Sequence, residues 1–301
     1  MTGPEHKVRD GVILCGIFTV LIGSLFTPLS ILTIWFLPLP FLLYTAKHSW
    51  PSAVLPAAVI GVLTLILLHP LLVFAVLFGA STGMLMGALY RSSTSTGTDV
   101  VLAGLVVGAA AMLTGLVAAE YGFGVLTEFQ RIWQQQWDLA VEWIQRSIPD
   151  ASVPALPPLS AVLPLSMSML LVPTVLLSAW AGRRLLVRSG FAEKRLPPFY
   201  RWRFPRSFLY FYLLAGIASF LFGTESGAYP FFAGLFIILD MVFVVQGLSF
   251  LAFLLRRKGK GQGWLWLAVL ALFIPPAAFL LLVLGILDVG TRWRERMEEK
   301  R

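Results

Sequence analysis

The chain has 301 residues, of which 58% are hydrophobic and 13% charged, and its mean hydropathy is +0.83. A soluble domain carries about 25% charged residues, so a water-exposed globule is excluded and lipid must surround much of the polypeptide. The net charge of +8 does not indicate nucleic-acid binding, because the basic residues gather just past apolar runs, where the positive-inside rule places cytoplasmic loops.

Continuous apolar runs predict an all-α fold, a polytopic transmembrane bundle of about eight to nine spanning helices plus one interfacial amphipathic helix. We expect residues 1–301 to form a single integral membrane domain. The first run follows Lys7 and Arg9 without a small-residue cleavage site, so we interpret it as a retained span. The predicted spans are 11–26, 29–44, 51–68, 71–90, 99–119, 159–186, 207–222, 228–255 and 263–287.

Proline makes two of these spans irregular. Pro38 and Pro40 predict a broken or re-entrant second helix, because proline removes a backbone donor. Pro275 and Pro276 fall inside the last run, where a break would turn it into a re-entrant hairpin. We favour a full crossing there, because an apolar run of this length suits a span.

The interval 120–158 is polar and predominantly acidic. Apolar residues recur in it at helical spacing, opposite a polar face, which predicts an amphipathic helix lying against the lipid headgroups. These residues are Leu126, Phe129, Trp133, Trp137, Ala140 and Ile144.

Loop charge orients the bundle. Arg91 and the basic clusters 183–206 and 256–260 are separated by two spans each, so all three can be cytoplasmic, together with the N-terminus. The interval 120–158 then lies outside. Nine crossings would place the basic tail 292–301 outside as well, whereas a hairpin at Pro275 would return it to the inside. The expected location is the cytoplasmic membrane.

Two rows of small residues predict close helix contacts. The first is Gly79, Gly83 and Gly87, and the second is Cys15, Thr19 and Gly23. Each row is interpreted either as packing within the bundle, which we favour, or as a docking face for a partner helix.

Polar residues inside spans are functional by default, so the candidate substrate-binding residues are Asp240, His69, Glu120, Gln246 and Trp35. Each also has a structural alternative. The alternatives are a satisfied buried carboxylate for Asp240, a helix cap for His69, a solvated helix end for Glu120 and a belt aromatic for Trp35. Gln246 lies ~240° around the helix from Asp240, so we expect the two to have different neighbours.

Neither an enzyme, a metal site nor a cofactor is predicted. The chain has three histidines and one cysteine and lacks the common nucleotide and metal motifs. The sequence Gly79–Gly83 matches G-x-S-x-G, but it lies within a helix and has no base in reach.

The basic cytoplasmic loop interleaves arginines with aromatic residues, a composition also found in protein interfaces. Contact with anionic lipid is favoured over a specific protein partner. Its arginines are Arg183, Arg184, Arg188, Arg201, Arg203 and Arg206.

Three features together resemble a known family. They are Leu37-Pro38-Leu39-Pro40 with the Gly79, Gly83 and Gly87 row, the segment 183–205, and Leu284-Gly285-Ile286-Leu287-Asp288. They are similar to the YybS-like bacterial membrane proteins, whose N-terminal part (11–119 here) is distantly similar to the substrate-binding S components of energy-coupling-factor transporters. The resemblance implies a small-molecule-binding bundle energised by a separate ATPase-containing module, with Cys15, Thr19 and Gly23 as the docking face.

Two functions follow as hypotheses. The first is a small-molecule-binding or uptake subunit of S-component type, with Asp240 in an outward cavity. The second is a non-transporting scaffold or regulator, which presents the basic loop to a protein partner or to anionic lipid.

Overall fold

The computed structural model describes residues 4–148, 152–153, 156, 159–223, 226, 228–261, 263–291 and 293–299. Every regular element in these ranges is helical, which confirms the all-α class. The α-helices are α1 Pro4–Ser24, α2 Ser30–Thr33, α3 Leu39–His48, α4 Trp50–Leu67, α5 Leu72–Arg91, α6 Gly97–Phe123, α7 Val125–Ser147, α8 Leu159–Arg188, α9 Ser207–Phe222, α10 Tyr229–Arg257, α11 Gly263–Leu270, α12 Pro275–Gly290 and α13 Trp293–Glu299.

Six helical stretches within the described residues are long and apolar enough to cross a membrane, and the bent pair α11 and α12 would make a seventh. The helix α9 is apolar but shorter. The chain is therefore a multi-pass membrane protein in contact with the lipid bilayer. The six stretches are Ser30–His48, Trp50–Leu67, Leu72–Arg91, Gly97–Phe123, Val162–Arg188 and Phe231–Arg257.

The prolines break both irregular spans. Between α2 and α3 lies a 3₁₀ turn, Ile34–Phe36, with Pro38 at the N-cap of α3, as predicted. Over 263–287, α11 and α12 are bent by 117° relative to each other, which fits either a broken span or a re-entrant loop, so the favoured single crossing stays a prediction. Pro275 and Pro276 cannot continue α11 but fit the first turn of α12, where their missing N–H groups cost nothing.

The chain forms two compact units. Unit 1 contains Met1–Leu156 and Met167–Leu196, and unit 2 contains Pro157–Ser166 and Pro197–Arg301. The basic loop is thus shared, with its first half in unit 1 and its second half in unit 2. The expectation of one integral membrane domain stays a prediction.

In unit 1 the Gly79, Gly83 and Gly87 row packs α5 closely against α3. A Cβ at Gly87 would lie 2.5 Å from the carbonyl oxygen of Leu42, and a Cβ at Gly83 would overlap that of Pro38. This face is therefore already covered within the unit.

The second small-residue row does not form the packing face of α1. The buried residues of α1 include Leu14, Phe18 and Ile22, and the Phe18 ring packs edge-on against Phe41 at 5.0 Å. Thr19 is exposed, and a Cβ at Gly23 would meet open space. Cys15 packs against the core of unit 1, so the row is partly covered within the unit, and its interpretation as packing or docking stays a prediction.

In unit 2, glycine residues again allow two helices, α10 and α12, to pack closely. A Cβ at Gly247 would overlap the carbonyl oxygen of Leu281, and one at Gly285 would overlap that of Phe243. Beside this contact, Tyr212 of α9 stacks on Phe236 at 4.7 Å. Helices α9, α10 and α12 thereby form the core of the unit.

The predicted amphipathic helix is α7, of 23 residues, none of them buried. It begins after Gly124, whose φ of 61° is readily adopted only by glycine. The tryptophan Trp143 is 71% exposed. The placement of α7 against headgroups stays a prediction.

Candidate functional site

A buried ion pair lies at the centre of the polar cluster in unit 2. Arg294 of α13 donates from Nε to Oδ1 of Asp288 at 2.8 Å, and its Nη2 lies 2.7 Å from Oδ2. The Asp288 side chain is fully buried and that of Arg294 is 8% exposed. Such a two-pronged guanidinium–carboxylate contact is strong and fixes both groups in orientation.

Two residues of α10 complete the cluster. The fully buried Gln246 donates from Nε2 to Oδ2 of Asp288. Arg294 Nη2 also donates to the hydroxyl of Ser249 at 3.2 Å. Gln246 and Ser249 are three residues apart, so they lie on one face of α10. The ion pair is thus satisfied by polar neighbours, as a buried charge requires.

This cluster of Asp288, Arg294, Gln246 and Ser249, which we call the clamp, holds the backbone of residues 199–204. We call residues 199–204 the clamped segment. Arg294 Nη1 donates to the carbonyl oxygen of Tyr200 at 2.9 Å, and the amide of Phe204 donates to Gln246 Oε1 at 3.0 Å. The hydroxyl of Ser249 lies 2.8 Å from the carbonyl oxygens of both Phe199 and Trp202. The second half of the basic loop therefore has a fixed conformation.

Two further side-chain contacts, at the edge of the cluster, also hold the clamped segment. Arg203 donates to Glu295 Oε1 at 2.8 Å and to the carbonyl oxygen of Thr291 at 2.9 Å. The Arg256 guanidinium lies 4.0 Å from the centroid of the Tyr200 ring, a cation–π contact.

The clamp bears on the predicted position of the tail. Arg294 and Glu295 of α13 contact the clamped segment, which favours one side of the bilayer for both. The 117° bend between α11 and α12 fits either a broken span or a re-entrant hairpin. The side of the tail and the number of crossings therefore stay predictions.

The first half of the basic loop is anchored in unit 1 by Lys194. Its ammonium donates to the carbonyl oxygens of Leu89, Ser92 and Ser95 at 3.0, 2.5 and 2.7 Å. Burial lowers the pKa of Lys194. A cation among these carbonyls satisfies the C-terminal end of α5 and matches its dipole.

Other loop charges are less firmly held. Glu193 lies 2.7 Å from Arg195, whose hydrogen bond lowers the pKa of Glu193, and 3.4 Å from Arg183. The Arg184 guanidinium covers the Trp180 ring at 4.1 Å. Arg188, Arg201 and Arg206 are exposed. The loop thus combines fixed backbone with accessible arginines.

Asp240, the first candidate for substrate binding, is half-buried in α10. The Tyr212 phenol lies within hydrogen-bonding reach of its carboxyl group. Its Oδ1 is buried and has no hydrogen-bond partner in the described part of the chain. Gln246 belongs to the clamp instead, so these two residues have different neighbours, as their angular separation predicts.

The remaining candidates lie in unit 1, and each makes a hydrogen bond within that unit. The exposed His69 accepts at Nδ1 from the amide of Leu71 at 3.2 Å. Glu120 accepts from the amide of Leu126 at 2.6 Å and so links α6 to α7. The backbone of Trp35 accepts from the Ser178 hydroxyl at 3.2 Å. The part that these three residues play in substrate binding stays a prediction.

Sequence reasoning missed Asp288, Arg294 and Ser249 as site residues. A signal was present, since Asp288 closes an apolar run and Arg294 follows it after one break in the chain. Their pairing depends on the turn after α12, which carries no recognisable motif.

Comparisons with known proteins extend over nearly the whole chain. The family described as "Predicted membrane protein (DUF2232)" matches residues 14–289. The Uncharacterized protein YybS of Bacillus subtilis (strain 168) is 23% identical over 308 residues, which cover 97% of this chain and 99% of that protein. No solved structure matches. The resemblance to YybS-like proteins is confirmed, whereas the similarity to S components stays a prediction.

Proposed function

Since the chain belongs to the DUF2232 family of predicted membrane proteins, we propose that it is a non-transporting scaffold or regulator that presents its basic loop to a cytoplasmic protein partner. The observation that carries this proposal is the clamp. The Asp288–Arg294 pair, Gln246 and Ser249 all direct hydrogen bonds to the backbone of one short loop segment.

Rigidity of this kind favours binding. A flexible loop loses conformational entropy when a partner orders it, at about 0.5–1.5 kcal/mol for each immobilised long side chain. The clamped backbone has already lost much of that freedom on folding. Less of the binding energy is then needed to order the loop, so more of it contributes to affinity.

The side chains left accessible suit an acidic protein surface. Arg201 is exposed, and it is next to Tyr200, which Arg256 covers. Arginine and aromatic residues are enriched among the residues that dominate protein interfaces. An acidic partner segment would meet both charge and ring contacts here.

Photo-cross-linking in native membranes tests this function. A photoreactive residue replaces Arg201 in the full chain, and a matched control replaces Tyr121, which is 91% exposed at the end of α6. We expect one protein to be captured in stoichiometric yield from position 201 and not from position 121. Lipid adducts alone at position 201 would overturn the scaffold.

A second candidate is a small-molecule-binding or uptake subunit, energised by a separate partner. The buried, unpartnered Oδ1 of Asp240 favours it, because such an atom is costly unless a ligand or water satisfies it. Native mass spectrometry of the purified chain would detect a retained ligand, which Asp240→Asn should release and the surface variant Asp138→Asn should keep. Equal retention by both variants would exclude Asp240 as the ligand-binding residue.

A further inference from the structure

A pocket of about 410 Å³ opens beside the clamp in unit 2, lined by Arg203, Phe204, Pro205, Arg206 and Glu295. Its volume falls in the range of small-molecule sites, about 300–1,000 Å³. The scaffold function does not use this pocket, which lies where the basic loop enters α9.

The charged side chains that line the pocket favour a ligand with one negative charge. Arg203 is held by Glu295 and the carbonyl oxygen of Thr291. Arg206 is exposed, and the described residues give its guanidinium no ion pair. Two arginines and one glutamate leave one positive charge uncompensated. Guanidinium groups match phosphate oxygens in geometry, so a phosphodiester of charge −1 fits the site.

The helix that follows Arg206 in the chain, α9, exposes apolar side chains. Helix α9 begins at Ser207, and its exposed side chains include Phe211, Leu214 and Leu221, at 54%, 58% and 74% exposure. A bound headgroup would therefore have its acyl chains beside an apolar helix face. A water-soluble phosphate would leave that face unused.

We propose that this pocket binds the phosphodiester headgroup of an acidic phospholipid, with the acyl chains along α9. A zwitterionic headgroup would bring its own ammonium towards the uncompensated arginine and would bind less well. This inference is independent of the scaffold function, since a protein bound at Arg201 and a lipid bound at Arg206 use different side chains.

The test is lipid retention by the full chain purified in detergent. Dioleoylphosphatidylglycerol and dioleoylphosphatidylcholine are added separately, and native mass spectrometry measures the lipid-bound fraction. We expect the wild type to retain phosphatidylglycerol preferentially. Arg206→Gln should weaken that binding by about tenfold or more, the size of a lost charge-assisted hydrogen bond. The matched control Arg201→Gln removes the same charge from the same loop, outside the pocket, and should bind as the wild type does.

A second variant changes binding in the opposite direction. Glu295→Gln removes the acid from the pocket and should tighten phosphatidylglycerol binding several-fold, which a general loss of folding cannot produce. Equal loss in Arg206→Gln and Arg201→Gln would overturn the site, because it would reveal unspecific surface attraction. Displacement of the lipid by an equal concentration of glycerol 3-phosphate would overturn the role of the acyl chains.

Discussion

At the scale of single residues, the Asp288–Arg294 pair has the largest consequences for unit 2. Both side chains are buried, and each charge is neutralised by the other. Burying two charges is costly in itself, so the pair contributes to specificity of conformation more than to stability. Its role is to fix where the clamped segment lies.

Removal of one partner should therefore be damaging. Asp288→Asn leaves the Arg294 charge buried and unpaired, and we expect the free energy of unfolding to fall by roughly 3–5 kcal/mol. Thermal melting in detergent measures the loss. The control Glu128→Gln removes an acid from the exposed pair with Arg131 on α7 and should leave the melting temperature unchanged. An Asp288→Asn protein that melts with the wild type would contradict the importance of the pair.

Removal of both charges separates stability from conformation. The double variant Asp288→Leu with Arg294→Met should regain much of the lost stability, because apolar side chains replace a buried ion pair at little cost. It should still release the clamped segment, since Tyr200 loses its guanidinium donor. Faster proteolysis at 199–206 than in the wild type would reveal that release.

At the scale of elements, glycine decides which helices approach closely. The contact of α10 with α12 is made by Gly247 and Gly285, each facing a carbonyl oxygen of the other helix. Backbones at this distance gain dispersion and weak hydrogen bonds that larger residues prevent. A methyl group at either position has no space to occupy.

Gly247→Ala should accordingly push α12 away from α10. We expect a loss of about 1–3 kcal/mol, the usual cost of overpacking, or more if the helices separate. The matched control is Gly61→Ala in α4, where an added Cβ meets open space. That substitution should be neutral or stabilise the helix by up to about 1 kcal/mol. Melting of both variants in one detergent decides the question, and similar behaviour of the two would refute the close contact.

At the scale of the whole molecule, loop charge and the clamp together predict the topology. The basic regions around Arg188 and Lys258 should lie on the same side of the membrane as α13. The polar helix α7 should lie on the other side. We expect the first side to be the cytoplasm of a bacterial cell, because basic loops are retained there.

Cysteine accessibility in intact cells or oriented vesicles tests this arrangement. Cys15 is replaced by alanine, and single cysteines are introduced at the exposed positions Arg188, Lys258, Arg296 and Trp143. A membrane-impermeant maleimide should label position 143 from outside and the other three only after permeabilisation. Labelling of position 296 from outside would instead support the nine-crossing topology.

The sequence alone determined that lipid surrounds much of this protein, and it determined most of the helix boundaries. The span predicted at 207–222 coincides with α9, and that at 228–255 differs from α10 by one or two residues at each end. The length of an apolar run, its charge and its prolines are local properties, so each can be read directly from one segment of the sequence. The break at Pro38 was predictable for the same reason.

Only the tertiary structure decided which of these local features meet. Gln246 and Asp288 are 42 residues apart in the chain and share a hydrogen bond inside unit 2. The glycine row of α5 packs within its unit, while the small-residue row of α1 is left partly open, although the two have the same spacing. Spacing places residues on one face of a helix, but the neighbour that covers this face is set by how distant segments fold together. The physical reason is that burial and pairing are properties of a packed assembly, and no single segment contains them.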